Sequence, residues 1–263
     1  MNTSSAETEL LVEELAPHIL QIRLNRPERM NALGVDMTGA LRAALARVPD
    51  SGARVLVMRG TGKAFCAGAD LKERRTMQQA DRVAHNAAIY DAIAAIEATP
   101  IPVIAAINGL ALGGGCEMVL ACDLRIIVED ASIGLTESRI GAIPGAGGTQ
   151  RLPRVVGAPY ALEMMLTGEP ISGLRAAQIG LANRAVPADQ FDDAVLQMAN
   201  LIALKSPTSS RVIKQLVREG MNTTLPLGLQ REREFVGQIL NSKDYAEGLA
   251  AFQERRPARF TGQ

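Results

Sequence analysis

The sequence is poor in the side chains that bind metal ions or cross-link a chain. It contains only two histidines and three cysteines, and it has no tryptophan at all. Neither histidine has cysteines or clustered carboxylates near it at the spacing of a metal site. The cysteines, Cys66, Cys116 and Cys122, form an odd set whose spacing suits neither a disulfide framework nor a zinc site. We therefore expect reduced thiols and no catalytic metal bound by the protein.

An excess of one charge and a long hydrophobic run are also missing. The 28 basic residues balance 28 acidic ones, so no overall positive field attracts nucleic acid or an anionic membrane. Residues 103–107 and 110–122 are the most apolar stretches, but they are too short or are interrupted by Asn108 and Glu117. Residues 1–14 lack a basic segment followed by an apolar one. We expect a cytoplasmic chain with no membrane segment and no nucleic-acid partner.

Hydrophobic periodicity divides the chain into an α/β part and a helical part. Short β-type runs alternate with helical patterns in the first part, which indicates an α/β architecture. The predicted strands are residues 10–15, 19–24, 55–58, 103–107 and 124–128, and the predicted helices are residues 37–48, 80–98 and a segment from about 116. Beyond Gly157 helical spacing dominates, at residues 161–166, 175–180, 191–204, 209–217 and 227–240. We divide the 263 residues into a core, 1–195, and a helical C-terminal region, 196–263.

Two glycine-rich stretches suggest a nucleotide site, and neither meets its requirements. Residues 145–150 have Gln150 where a dinucleotide fingerprint needs its last glycine. Lys63 follows a glycine as in a phosphate-binding loop, but the next residue is Ala64 rather than serine or threonine. Neither stretch is therefore predicted to bind a nucleotide.

Residues 108–117 are a strand exit followed by three glycines and the start of a helix. Glycine lets another molecule approach the backbone closely. The first amides of a helix lack internal partners and lie at the positive end of the helix dipole, which suits a developing negative oxygen. By itself a triple glycine is more often a tight turn. A second segment of small residues, 62–73, also follows a strand directly and by itself would be a loop.

Taken together and in this order, these two segments resemble the two halves of the oxyanion hole of the crotonase (enoyl-CoA hydratase/isomerase) superfamily. Four further segments, residues 24–33, 121–125, 143–152 and 252–257, also resemble motifs of that family. The resemblance covers the chain beyond about Leu10. It implies an α/β fold of the crotonase type, a spiral of ββα units with a helical C-terminal region that mediates trimers, commonly paired into hexamers.

The resemblance also implies the catalytic groups. Ala69 and Gly114 match the positions whose backbone amides bind the thioester carbonyl oxygen. Glu117 and Glu137 match the two glutamates of enoyl-CoA hydratases; the family pattern assigns Glu117 mainly to the attacking water and Glu137 to the α-carbon proton. Outside this context Glu117 would be a helix-start carboxylate and Glu137 a surface loop residue.

Binding of coenzyme A is expected along the first of the two segments. The family pattern places pantetheine and adenine along residues from Ala67 to Leu71, with Arg26 or Arg29 near the phosphates. Asp70 has an alternative role, because its carboxylate can fix the loop by accepting backbone amide hydrogen bonds. Coenzyme A is part of the acyl-CoA substrate, so no separate cofactor is expected.

Several functions within and beyond this family remain open. The pair of glutamates favours an enoyl-CoA hydratase, which adds water to a 2-enoyl-CoA. Cys66 and residues 71–74 resemble the branch that hydrates 3-methylglutaconyl-CoA, and Thr136 stands where many short-chain hydratases have proline. The sequence is also compatible with an enoyl-CoA isomerase and with a non-catalytic protein that binds acyl-CoA or RNA.

Overall fold

Strands and helices alternate through most of the computed structural model, which describes residues 9–263. In this range the strands are β1 (Leu10–Ala16), β2 (Ile19–Leu24), β3 (Val55–Gly60), β4 (Ala64–Cys66), β5 (Val103–Ile107), β6 (Leu110–Leu112), β7 (Leu124–Val128), β8 (Ser132–Gly134), β9 (Ile171–Ser172) and β10 (Arg184–Val186). Part of the segment 1–14, for which no targeting signal is expected, lies outside the described residues.

The larger sheet has six strands in the order β1-β2-β3-β5-β7-β10. β1 and β2 form an antiparallel hairpin, and the neighbours from β2 to β10 pair in parallel. The hairpin turn lies at Pro17 and His18, where His18 has a φ of 66°. The predicted strands of this sheet are therefore confirmed, and β10 at its edge is an addition to them.

A second, smaller sheet has the order β4-β6-β8-β9. Its first three strands come from three successive units, because β3, β5 and β7 of the large sheet are followed by β4, β6 and β8 respectively. Each unit continues into a helix, so the chain winds as a spiral of ββα units, as the resemblance implies. β4, β6 and β8 lie side by side, so the segments that leave their carboxyl ends meet at one edge.

The α-helices of the described chain number eleven. They are α1 (Val35–Arg47), α2 (Leu71–Arg74), α3 (Gln79–Ala98), α4 (Gly114–Ala121), α5 (Gly148–Val156), α6 (Ala158–Thr167), α7 (Gly173–Gln178), α8 (Phe191–Ala203), α9 (Pro207–Gly220), α10 (Leu225–Leu240) and α11 (Lys243–Glu254). Every helix expected from the periodicity has a counterpart here. α2, α5 and α11 are additional.

Helix α4 lies at the centre of the molecule. Every residue from Gly114 to Ala121 is buried, which is the pattern of a helix enclosed on all sides rather than of a surface helix. Apolar side chains of α1, α3, α5 and α6 pack in the same core as α4, for example Leu41, Ile93, Leu152 and Ala161. The positive end of α4 is thereby held in a fixed place.

The boundary expected between residues 195 and 196 falls inside α8. This helix packs Phe191, Val195 and Ala199 against the opposite face of the large sheet, where Ile19 and Val57 lie. Within the described residues, no residue of α9 or α10 is fully buried. No helix of residues 9–263 is long and apolar enough to cross a membrane.

Candidate active site

A cavity of about 220 Å³ opens where the carboxyl ends of β4, β6 and β8 meet. The segment after β4 contributes Ala69 to its wall, the segment after β6 contributes Gly114, and the segment after β8 contributes Glu137. Glu117, one turn into α4, also lines it. The topology therefore brings all four predicted catalytic positions to one cavity, although 68 positions separate the first from the last in the sequence.

Two backbone amides face this cavity side by side. Leu33 forms a parallel bridge with Ala69, in which the amide of Leu33 donates to the Gly68 carbonyl and Leu33 accepts from the amide of Asp70. These bonds use the neighbours of Ala69, so its own N–H is directed away from Leu33. Gly114 is the first residue of α4, so its N–H has no partner within the helix.

Gly68 allows the two amides to approach each other. A Cβ atom at Gly68 would lie 3.1 Å from the Gly114 nitrogen and 2.8 Å from the Leu112 carbonyl oxygen. Its φ is 89°, a backbone conformation that favours glycine. The small residue thus allows the two strand exits to pack closely, and both amides can donate to one oxygen placed between them.

Glu117 is buried and held at one oxygen. Its Oε1 accepts hydrogen bonds from the amides of Ala146, at 2.7 Å, and Gly148, at 2.8 Å. Burial raises the pKa of Glu117 above its usual value, and these two amides together with the charges of Arg151 and Arg74 counteract that rise. Both amides bind Oε1, which leaves Oε2 as the oxygen available to a water or a substrate.

Glu137, which lines the same cavity, has a different environment. It begins a short 3₁₀ turn, Glu137–Ile140, directly after β8. Its Oε2 is buried, and no hydrogen-bond partner for it occurs among residues 9–263. Burial raises the pKa of Glu137 to about 7, and the negative charge of Glu117 contributes to the rise. The site therefore combines a carboxylate stabilised by amides with one that retains its proton near neutral pH.

Comparison with known proteins identifies the family of the chain. The sequence matches the family described as Enoyl-CoA hydratase/isomerase over residues 14–263. The chain belongs to the enoyl-CoA hydratase/isomerase (crotonase) family.

Relatives and solved structures of this family align over nearly the whole chain. A probable enoyl-CoA hydratase 2, mitochondrial, of Arabidopsis thaliana is 43% identical, over 93% of this chain and 82% of its own length. The mitochondrial methylglutaconyl-CoA hydratase of Mus musculus is 38% identical, over 98% of this chain and 85% of its own. The crystal structure of an enoyl-CoA hydratase from Bacillus anthracis is 40% identical, with a TM-score of 0.95, covering 97% of this chain and all of its own.

In this crotonase-family chain, Asp70 fixes the loop that carries Ala69. Its side chain accepts from the amides of Lys72, at 3.0 Å, and Glu73, at 3.1 Å, and so caps α2. Burial raises the pKa of Asp70, but the Glu73 amide and the charges of Arg29 and Arg26 outweigh burial and hold it below the usual value. The loop-fixing role predicted for Asp70 from the sequence is the one the structure shows.

Arg26 and Arg29 both pair with this carboxylate rather than extending freely into solvent. Arg26 Nη1 lies 3.2 Å and Arg29 Nη2 lies 2.9 Å from Asp70 Oδ2. Both guanidinium groups remain partly exposed, at 19% and 29% of the side chain. Ala67 and Leu71 flank the same loop and line the cavity. The five positions predicted to bind coenzyme A therefore lie together, and their role in binding it stays a prediction.

Asn31 supports the same loop, and sequence reasoning did not single it out. It is fully buried with a φ of 56°, which asparagine tolerates better than most residues. Its side-chain amide donates to the carbonyl oxygens of Thr61 and Ala64, and its side-chain oxygen accepts from the amide of Arg26. Asn31 thus fastens the loop before Leu33 to the entrance of β4. Its position within the motif of residues 24–33 was the only signal in the sequence.

Arg74 is a second residue to which the sequence analysis gave no role, although it belongs to the segment 71–74. It lines the cavity from α2, donating at 3.4 Å to His85 Nδ1 and at 3.3 Å to Asn86 Oδ1. Burial lowers the pKa of Arg74, and the charge of Glu117 opposes that change. The cavity accordingly contains a cation as well as two carboxyl groups. Among the described residues, no group of three or more His, Cys, Asp or Glu side chains is placed to hold a metal ion.

Proposed function

We propose that the chain is an enoyl-CoA hydratase, which reversibly adds water to a 2-enoyl-CoA to give a 3-hydroxyacyl-CoA. The observation that carries the proposal is that two unlike carboxyl groups, Glu117 and Glu137, line the same cavity as Ala69 and Gly114, whose amides would donate to the thioester oxygen. Hydration needs both a proton acceptor and a proton donor. It also needs stabilisation of the oxygen that becomes negative between the two proton transfers.

The first step is attack of water on the β-carbon. Glu117 Oε2 accepts a proton from the water as its oxygen bonds to that carbon, and the electron pair of the double bond moves to the thioester oxygen. The amides of Ala69 and Gly114 donate to the resulting enolate. An oxyanion donor of this kind is typically worth about 2.7–4 kcal/mol in the transition state.

The second step is protonation of the α-carbon. Glu137 is the donor, because a pKa of about 7 leaves much of this group protonated near neutral pH. Water has then been added across the double bond, with Glu117 protonated and Glu137 ionised. A proton passes from Glu117 to Glu137, directly or through solvent, and restores the starting state. The two glutamates therefore act as one unit.

The rest of the proposal concerns what the chain binds and where it works. Coenzyme A lies along the loop from Ala67 to Leu71, which is fastened by Asp70, and the exposed parts of Arg26 and Arg29 lie near its phosphates. The acyl-CoA is the only small-molecule partner, and the chain assembles as a homotrimer or hexamer. The cytoplasmic location expected from the sequence belongs to this proposal, although the Arabidopsis and mouse relatives are named as mitochondrial.

The direct test is loss of the conjugated enoyl-thioester absorbance when the protein meets crotonyl-CoA. Glu117→Gln and Glu137→Gln should each lower turnover roughly a hundredfold or more, and the double variant should lose little beyond either one. Full activity is expected after exhaustive chelation, because amides rather than a metal stabilise the oxygen. An inactive parent over a panel of chain lengths, or Gln variants as fast as the parent, would overturn the assignment.

A second candidate substrate carries a carboxylate at the end of its acyl chain, as 3-methylglutaconyl-CoA does. The observation in favour is Arg74, a half-buried cation that faces the cavity. Arg74→Met should then reduce kcat/KM for the carboxylated substrate far more than for crotonyl-CoA. Arg75→Met is the matched control, because Arg75 is the next residue and is exposed. Equal effects of Arg74→Met on both substrates would exclude this specificity. A 3-enoyl-CoA in the same panel detects isomerase activity.

A further inference from the structure

The loop that holds Glu117 is itself held at its middle peptide. The amides of Ala146 and Gly148 donate to Glu117, and the peptide between them, from Ala146 to Gly147, makes no bond to that carboxylate. Instead its carbonyl oxygen, on Ala146, accepts from Arg151 Nη1 at 2.9 Å. Arg151 therefore clamps the unit that separates the two donors.

The guanidinium of Arg151 also fits against the backbone at Gly147. A Cβ atom at Gly147 would overlap Arg151 Nη1. Any residue other than glycine at this position would therefore displace the guanidinium. Gly147 has a φ of 105°, which aims the amides on either side of it toward one point. The loop conformation that holds Glu117 and the position of Arg151 thus depend on each other.

Arg151 is anchored from behind by a chain of charged groups. Its Nε lies 3.0 Å from Glu97 Oε2, and Nη2 bonds to the same oxygen. Glu97, on α3, also pairs with Arg218 of α9 at 2.8 Å. Arg218 in turn pairs with Asp123 at 2.8 Å, and Asp123 pairs with Lys214. The guanidinium side chain of Arg151 is 18% exposed, so its pair with Glu97 is partly shielded from solvent.

We propose that Arg151 is a positioning residue for Glu117: it holds the peptide from Ala146 to Gly147 so that the flanking amides converge on Oε1. Glu97 and Arg218 hold Arg151 in turn and link helix α9 to the catalytic carboxylate. The kinetic part of this inference rests on the proposed hydratase function, whereas the effect on the ionisation of Glu117 does not. Arg151 itself touches neither the cavity nor the reacting atoms.

A purely structural salt bridge between α3 and α5 would behave differently. Its removal would lower the free energy of unfolding and would alter the titration of Glu117 only through the lost charge of Arg151, so Arg151→Lys, which keeps that charge, would titrate Glu117 like the parent. A positioning residue affects that titration, because the converging amides and the charge of Arg151 both lower the pKa of Glu117 against the effect of burial. The discriminating measurement is therefore the titration of one carboxyl group in the native state.

The test uses Arg151→Gln, Arg151→Lys and the matched control Arg154→Gln. Arg154 lies on the same helix, is exposed, and donates to the Gln150 carbonyl, its one hydrogen-bond partner among residues 9–263. The ¹³C signal of the Glu117 carboxyl group, identified by its loss in Glu117→Gln, is titrated in each protein without substrate. We expect Arg151→Gln to raise the pKa of Glu117, Arg151→Lys to restore part of the shift, and Arg154→Gln to match the parent.

The second measurement is the rate of hydration and its dependence on pH. With crotonyl-CoA, Arg151→Gln should lower kcat roughly tenfold to a hundredfold, the cost of a small misplacement of a catalytic group, while affinity for coenzyme A stays near that of the parent. The acid limb of its pH profile should move to higher pH, and adding Arg151→Gln to Glu117→Gln should cause little further loss.

Each outcome decides one point. If Arg151→Gln folds and the pKa of Glu117 in it equals that in the parent, Arg151 has only a structural role and the inference is overturned. A shifted titration in a chain that hydrates no enoyl-CoA leaves the inference standing and removes the proposed function. If Arg151→Gln does not fold, Arg151→Lys carries the test, because lysine cannot bind Ala146 and Glu97 in the same fork. Parent titration and parent kcat in that variant would refute the positioning role.

Discussion

Replacing Glu117 by glutamine and by alanine should separate its proton chemistry from its structural role. Its side chain is buried, with only 3% of the residue exposed, and it accepts two amide hydrogen bonds at Oε1. Glutamine has an oxygen at the same place and cannot exchange a proton. Alanine removes both the proton chemistry and the acceptor. Both variants should therefore lose activity, and only the alanine variant should lose much stability.

The expected magnitudes follow from those two bonds. In Glu117→Gln the side-chain oxygen still accepts from Ala146 and Gly148 and carries no buried charge, so the free energy of unfolding should stay within about 1 kcal/mol of the parent. In Glu117→Ala two buried N–H groups lose their acceptor, at about 1–3 kcal/mol each. The predicted loss is about 2–6 kcal/mol before the cost of the new cavity is added.

The assay is urea unfolding followed by circular dichroism, with turnover and coenzyme A affinity measured on the same samples. We expect both variants to be at least a hundredfold slower than the parent and to bind coenzyme A while folded. If Glu117→Ala unfolds at the same urea concentration as Glu117→Gln, the loop at Ala146 and Gly148 does not depend on the carboxylate. Parent turnover in Glu117→Gln would refute its role in proton transfer.

Three further predictions test other parts of the site and the assembly. Folding raises the pKa of Glu137 from 4.5 to about 7, so the unfolded chain loses this proton at lower pH than the folded chain does. As pH rises through that interval, the parent should therefore lose stability relative to Glu137→Gln. Urea unfolding at several pH values in the interval measures the difference. Gly114→Pro removes one oxyanion donor and should lower kcat roughly a hundredfold or more, whereas Gly114→Ala keeps the amide and should retain activity. Sedimentation at micromolar concentration should give the mass of three or six copies, because α9 and α10 contain no fully buried residue within the described chain and expose apolar side chains such as Ile213 and Leu225. A monomer would contradict the assembly.

Local pattern was sufficient to predict much of the large sheet. Residues 103–107 form a continuous apolar run and are entirely buried as β5, and the run 19–24 becomes β2 with the expected bounds. The small sheet was not predicted, because β4, β6, β8 and β9 have three residues or fewer and such short runs show no periodicity. Helix α5 contains Pro153 and begins after Gly147, which are signals of a break rather than a helix.

The candidate site, too, could be predicted from local sequence only in part. Glu117 and Glu137 were found through their motifs, but the different hydrogen bonding that sets their roles depends on Ala146 and Gly148, contributed by a different loop. Arg151 lies within the motif of residues 143–152, which assigns it no role. Its partner Glu97 is 54 positions away in the sequence, so no local pattern indicates the contact. Contacts of this kind depend on how helices pack, and no local pattern specifies them.

The burial of helix α4 on every side has a consequence for motion. Hydrogen-bonded amides of such an element, for example that of Glu117, exchange with deuterium only when the whole molecule opens, so the backbone from Gly114 to Glu117 should keep its shape for as long as the chain is folded. The opposite wall is different, because Ile140 and Ile143 expose 62% and 76% of their surface. We therefore expect the segment around these two residues to move when an acyl chain enters or leaves, and to exchange deuterium far sooner than α4.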